Sequence, residues 1–158
     1  MKMLHEERIV HPMTQLPLQG TGLAGWLYAS RCALPSAWAQ RAVDDIVAKS
    51  VPRNAALDVT GALLFTGARF VQFLEGPAES IVAIRQNILA DRRHHDIVTF
   101  LSGGRAERVF SNWSLAYAGP SLFVADKVEN LFHTGIRHTA EIIDLLEQFV
   151  IISEANKP

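Results

Sequence analysis

Short apolar runs recur along this chain, separated by glycine, proline and charged positions. LAGWLYAS (23–30), VTGALLFT (59–66), ARFVQFLEG (68–76) and DIVTFLSG (96–103) each have strand length. Apolar residues fill both alternating sets of positions, which predicts strands buried on both faces. VFSNWSLAYAG (109–119) is a fifth extended piece. After the first run, Pro35-Ser36 announces a helix with Ser36 as N-cap. In that helix Trp38, Ala42, Val43, Ile46 and Val47 fall on one stripe, and VPRNAALD (51–58) is the turn that leaves it. Gly67 marks a hairpin and Gly76-Pro77 ends the third run. A second helix, about 78 to 91, aligns Ile81, Ile84 and Ile88.

The element order β-α-β-β-α-β is that of an α+β, ferredoxin-like domain, here with one further strand. Two helices cover one sheet face. The strands are apolar on both faces, so the opposite face needs a cover as well. Residues 121–133 and 136–152 read as two helices that supply it. The second carries Ile142, Leu145, Leu146, Phe149 and Val150 on one side and Glu141, Asp144 and Glu147 on the other. This stripe docks on the sheet or forms a dimer seam, and docking is the simpler expectation. Three regions follow: a loosely ordered tail (1–22) broken by Pro12 and Pro17, a domain (23–120), and a C-terminal helical extension (121–158).

Composition narrows the function classes. The chain has 158 residues, a net charge of −1 and no long run of one sign. This argues against nucleic acid or an anionic membrane as the main partner. The single cysteine, Cys32, excludes an internal disulfide and a cysteine-rich metal site, and suits a cytoplasmic protein. No stretch reaches the roughly 20 apolar residues of a membrane span.

Polar residues in the apolar runs carry the chemical signal. Gln72 shares a strand face with Phe70 and Leu74. A buried amide left unpaired costs about 1–3 kcal/mol, so Gln72 needs partners. Tyr28 shares a face with Trp26 and Ser30. The first and third strands of this topology are central neighbours, which allows Tyr28 and Gln72 to meet on the helix-covered face. Asn54, just after the first helix, is placed to point into the cleft between the helices. Each residue singly is most simply a satisfied core group. A phenol and two amides around one helix-flanked cleft together suggest a bound heterocycle.

These residues resemble the BLUF domain, the flavin-using blue-light sensor. The resemblance runs from about Leu23 to Gly119. It is carried by LYAS with Tyr28, RNAALDVTGALLF with Asn54, FVQFLEG with Gln72, DRRHH at 91–95, and NWSLAY with Trp113. Gln72 lies twelve positions after Thr60 and Asp91 nineteen positions after Gln72, as in the family. The resemblance implies non-covalently bound flavin, usually FAD, with FMN or riboflavin as alternatives, lying between the two helices. Tyr28 would give an electron and a proton to the excited flavin, and Gln72 would bridge the two. Asn54 would hold the pyrimidine edge. Ser30, Arg53, Asn87, Ile88, Asp91, Arg93 and His94 would line the cofactor site. Trp113 and Leu115 would relay the light state. The implied product is a rearranged hydrogen-bond pattern around Gln72, with a slight red shift that decays in the dark.

Three positions depart from the family pattern. Leu115 stands where methionine is common, Asn87 where others place a basic residue, and Arg53 where histidine or asparagine is seen. The resemblance implies a short stand-alone photoreceptor without a fused enzyme, acting on an unidentified partner protein or through its own homo-oligomer. The main alternative is a flavin-free interaction module on the same fold. A small enzyme using Asp91, Arg93, His94 and His95 is weaker, because adjacent strand histidines face opposite ways and cannot share one ion. A cysteine–flavin adduct at Cys32 lacks its sequence context.

Overall fold

The computed structural model describes residues 8–9, 22–111, 116–118, 122–133 and 139–155. Its elements are β1 (Arg8–Ile9), β2 (Leu23–Cys32), α1 (Ser36–Ala56), β3 (Thr60–Phe65), β4 (Arg69–Pro77), α2 (Ala78–Ala90), β5 (His94–Gly104), β6 (Ala116–Ala118), α3 (Leu122–His133) and α4 (Thr139–Ala155). The sheet order is β1-β5-β2-β4-β3-β6. The central four strands are antiparallel, in the ferredoxin-like order expected from the sequence. β6 adds in parallel to β3. At the other edge Arg8–Ile9 pair in parallel with β5. The tail expected to be loosely ordered thus contributes an edge strand. A two-residue pairing carries no periodicity for a sequence reading to detect.

The first helix differs from its prediction in three ways. It begins at Ser36 with Pro35 at the cap and no side-chain cap bond, so Ser36 is the first helical residue rather than the N-cap. It runs on to Ala56 with Pro52 inside it, through the stretch expected to be a turn. Proline removes one helical hydrogen bond, which made a stop the natural expectation. The turns beyond it are held by burial of Asn54 and by the Leu57 and Val59 N–H groups, both of which donate to the Asn54 carbonyl. Finally, the buried stripe is Ala39, Val43, Ser50 and Asn54, while Trp38 is 63% exposed. Val43, Ile46 and Val47 of the expected stripe do pack against the core, and Trp38 at its start does not.

Two cores sandwich the sheet. On one face, Trp26, Leu63, Phe70 and Leu74 pack under Ala39 and Val43 of α1 and Ile81 and Ile84 of α2. On the other, Leu27, Ala29, Leu64, Val71 and Phe73 pack under Val128 of α3 and Ile142, Leu145, Leu146 and Val150 of α4. The stripe of α4 therefore docks on its own sheet, as expected. β4 alternates between the two cores, Phe70, Gln72 and Leu74 facing α1 and α2, and Val71 and Phe73 facing α3 and α4. Gly61 lets β3 approach β4 closely, since a Cβ there would lie 2.0 Å from the Phe73 carbonyl oxygen. Among the described residues no helix is long and apolar enough to cross a membrane.

Candidate functional site

β2 and β4 pair with Tyr28 opposite Gln72, so strand register alone sets the two side chains next to each other on the face under α1 and α2. The Tyr28 hydroxyl donates to Gln72 Oε1 at 2.5 Å. Both residues are almost fully buried. Burial first, then the charge of Asp91, pushes the Tyr28 pKa far above that of a free phenol, and Arg53 pulls weakly the other way. Tyr28 therefore keeps its proton throughout the neutral range and acts as a neutral donor. Gln72 Nε2 donates to no described residue, and Gln72 borders a cavity.

That cavity, about 130 Å³, lies between α1 and α2 above the sheet. It is far larger than a water site and of the size class that accepts an aromatic ring. Its walls are unlike in character. Ile46, Leu63, Phe70 and Ile88 are apolar, while Tyr28 and Gln72 supply the polar floor. Lys49 and Arg53 approach from α1, and Asn87, Asp91, Arg93 and His94 from the end of α2 and the start of β5. A flat heteroaromatic with acceptor atoms on its rim matches such a site.

The side opposite α1 is held by a buried hydrogen-bond chain. His94 Nε2 lies 2.7 Å from the Ile88 carbonyl oxygen and Nδ1 lies 2.7 Å from Ser30 Oγ. A carbonyl only accepts, so Nε2 carries a proton there, and Nδ1 pairs with the Ser30 hydroxyl. His94 thus ties β5 to β2 and to the last turn of α2, with its ring edge toward Tyr28 and Phe70. His95 points away and meets Asp96 at 3.3 Å on the outside.

Asp91 and Arg93 close the mouth. Arg93 donates to both Asp91 oxygens from its side chain and to one from its backbone N–H. Asp45 of α1 meets Arg93 at 3.5 Å and Lys49 at 3.1 Å, so a line of alternating charge joins the two helices. Burial pushes the Asp91 carboxyl upward. The hydrogen bonds from Arg93, with the charges of Arg93 and His94, outweigh it and hold the pKa below the ordinary value. A depressed carboxylate contributes stability above the unfolded value, about 3.9, and loses it as pH falls through the folded one. Asp91→Asn is expected to flatten the acid limb of unfolding below that value, read by circular dichroism against pH. An unchanged acid midpoint would show that the pair contributes nothing.

The structure brings eight of the sequence candidates to one cavity: Tyr28, Arg53, Gln72, Asn87, Ile88, Asp91, Arg93 and His94. Ser30 stands behind His94. Asn54 is not beyond the first helix but in its last turn, buried, one position past Arg53 and off the cavity wall. Trp113 and Leu115 lie outside the described residues. Sequence reasoning missed Lys49 and Ser50, whose signal was their spacing from Ile46 and Arg53 along one helix face. Among the described residues no three His, Cys, Asp or Glu side chains converge as metal ligands.

The chain is similar to known proteins over this region. Residues 23–116 match the family model described as BLUF, sensors of blue-light using FAD. The chain is 40% identical over 81 residues to the blue light- and temperature-regulated antirepressor BluF of Escherichia coli (strain K12), covering 51% of this chain and 19% of that protein. It is 39% identical over 74 residues to photoactivated adenylate cyclase subunit beta of Euglena longa, covering 46% of this chain and 9% of that protein. The chain thus matches only a small part of each of these relatives. Among solved structures, the dark state of the BLUF protein BlrB superposes with a TM-score of 0.68 at 27% identity, covering 84% of this chain and 98% of that one. The chain belongs to the BLUF family, the sensors of blue-light using FAD.

Proposed function

We propose that Tyr28 and Gln72 are the photochemical pair of this sensor and that the cavity beside them receives the flavin ring. The carrying observation is the buried hydrogen bond from the Tyr28 hydroxyl to Gln72 Oε1 at the cavity floor. The residues present fit FAD. Ile46, Leu63, Phe70 and Ile88 suit the faces of a planar ring. The Gln72 amino group offers donors to its heteroatoms. Lys49 and Arg53 at the α1 wall suit the negative diphosphate. When bound, FAD supplies the absorption of blue light and, once excited, a strong one-electron oxidant.

Tyr28 would then give up an electron to that oxidant and pass its hydroxyl proton along its hydrogen bond to Gln72 Oε1. Both return, so Tyr28 ends chemically unchanged. Gln72 is left with its amide turned or tautomerised, because its Oε1 loses its donor while the phenol is oxidised. The new hydrogen-bond pattern is the light state. His94, Ser30 and the Asp91–Arg93 pair keep the walls in place while the amide moves. Asn54, buried in the last turn of α1, holds that end of the helix next to Arg53.

The light state acts on a further protein surface, as in the antirepressor and the cyclase subunits that carry related domains. The candidate carriers are the segment with Trp113 and Leu115 and the helices α3 and α4, which cover the opposite face of the sheet. A cytoplasmic setting and a homo-oligomer belong to this reading. The first test is an absorption spectrum of the purified protein before and after blue light. A flavin spectrum that moves slightly red and recovers in the dark is expected. A flavin spectrum that only bleaches would overturn the Tyr28–Gln72 relay.

A further inference from the structure

Trp26 is fully buried on the same face of β2 as Tyr28, and the photochemical pair leaves it without a role. Its ring is stacked on Tyr28, with centroids 4.3 Å apart and planes 24° from parallel. An indole is among the most easily oxidised side chains. One in van der Waals contact with the phenol that loses an electron is placed to refill it. The surroundings of Trp26 oppose that transfer. The Arg85 guanidinium lies 5.1 Å from its ring centroid and is fixed by a 2.9 Å hydrogen bond to Ser102 Oγ. Trp26 Nε1 donates to Thr99 Oγ1 at 2.9 Å. A cation over a neutral indole is attractive, but it repels the radical cation that oxidation creates. A hydroxyl is no base, so the charge cannot be relieved by passing the indole proton to Thr99.

We propose that Trp26 is a competing electron donor stacked on Tyr28, and that Arg85 is the residue that suppresses it and so directs the photochemistry to Gln72. This rests on Tyr28 being the donor to photoexcited FAD. Tyr28 loses one electron. If Trp26 supplies one in turn, the hole moves to the indole and Tyr28 regains its electron while keeping its proton. Gln72 then has no cause to turn. Trp26 later regains its electron, and no light state has formed. Transfer to Trp26 is a loss channel, and the Arg85 charge closes it. Removing that charge shifts the equilibrium toward oxidised Trp26 by on the order of tenfold or more.

The test is flash photolysis of the FAD-loaded wild type, Arg85→Met, Trp26→Phe and the double variant. It reads the transient absorption of an oxidised indole and the yield of the red-shifted state. Thermal melting of the flavin-free proteins checks the fold. Arg85→Met is expected to gain the indole transient and lose yield. Adding Trp26→Phe, which keeps a stacked ring that is hard to oxidise, is expected to remove the transient and restore the yield. A merely structural role for either residue would lower the yield in every variant, the double included. No indole transient in Arg85→Met would overturn the proposal. So would a transient that survives Trp26→Phe, which would place the hole on Trp38 or Trp113. No red shift in the wild type would overturn the Tyr28–Gln72 reading itself, before any variant is compared.

Discussion

Gln72→Leu protein is expected to bind FAD and to show no light-induced red shift. Leucine fits the same strand position between Phe70 and Leu74, so the apolar walls of the cavity and the pairing of β4 with β2 and β3 are retained. What disappears is the acceptor of the Tyr28 hydroxyl and the donor group bordering the cavity. Without the acceptor, the phenol proton has no path out, and without an amide there is nothing to hold a second hydrogen-bond pattern in the dark. The buried Tyr28 hydroxyl is also left unpaired, which costs about 1–3 kcal/mol of stability. Tyr28→Phe should lose the same response, with Gln72 Oε1 rather than the phenol left without its partner. The check is the difference spectrum after blue light for both variants, with flavin content measured in parallel. A normal photocycle in Gln72→Leu would disprove the relay.

The second large effect is structural and lies on the opposite face of the same strand. Glu75 is fully buried, and its carboxylate accepts the backbone N–H groups of Val109 and Phe110 at 2.9–3.0 Å, with Arg105 at 3.9 Å. These contacts fasten the 105–111 segment to β4, and with it Phe110, which packs edge-on against Phe73 in the core under α3 and α4. Glu75→Ala strands a buried N–H, a partly buried N–H and a partly buried guanidinium. Leaving a buried polar group without its partner costs about 1–3 kcal/mol, and two N–H groups are affected. For a domain of this size that is on the order of 10 °C in melting temperature. Glu75→Gln keeps one acceptor oxygen and should fall between. The flavin cavity lies on the other sheet face, so the folded Glu75→Gln protein should keep its red shift. Equal melting of wild type and Glu75→Ala would remove Glu75 from this account.

The sequence by itself determined the parts whose signal is local. Apolar runs of strand length, glycine and proline between them and two helical stripes give the central β-α-β-β-α-β order and its ferredoxin-like class. The same alternation places Gln72 with Phe70 and Leu74, and Tyr28 with Trp26. The strand order of that topology then makes the two polar residues neighbours. The excess of apolar residues on both strand faces calls for the second helical layer that α3 and α4 provide. All of this follows from the fixed period of two in a strand and 3.6 in a helix.

Only the tertiary structure decided the rest. Pro52 reads as a stop, yet α1 passes through it because Asn54 is buried and its carbonyl receives two N–H groups from beyond the helix. Trp38 reads as core and is exposed, because the first turn of α1 sets the smaller Ala39 against the sheet instead. Arg8–Ile9 become a strand only by finding the edge of β5. The bridge of His94 between Ser30 and Ile88 joins residues from three elements. The clasp of Glu75 on Val109 and Phe110 and the position of Arg85 over Trp26 likewise link distant parts of the chain. Such pairings depend on packing between elements, which no local period encodes. They also decide whether a buried polar group costs stability or serves as a switch.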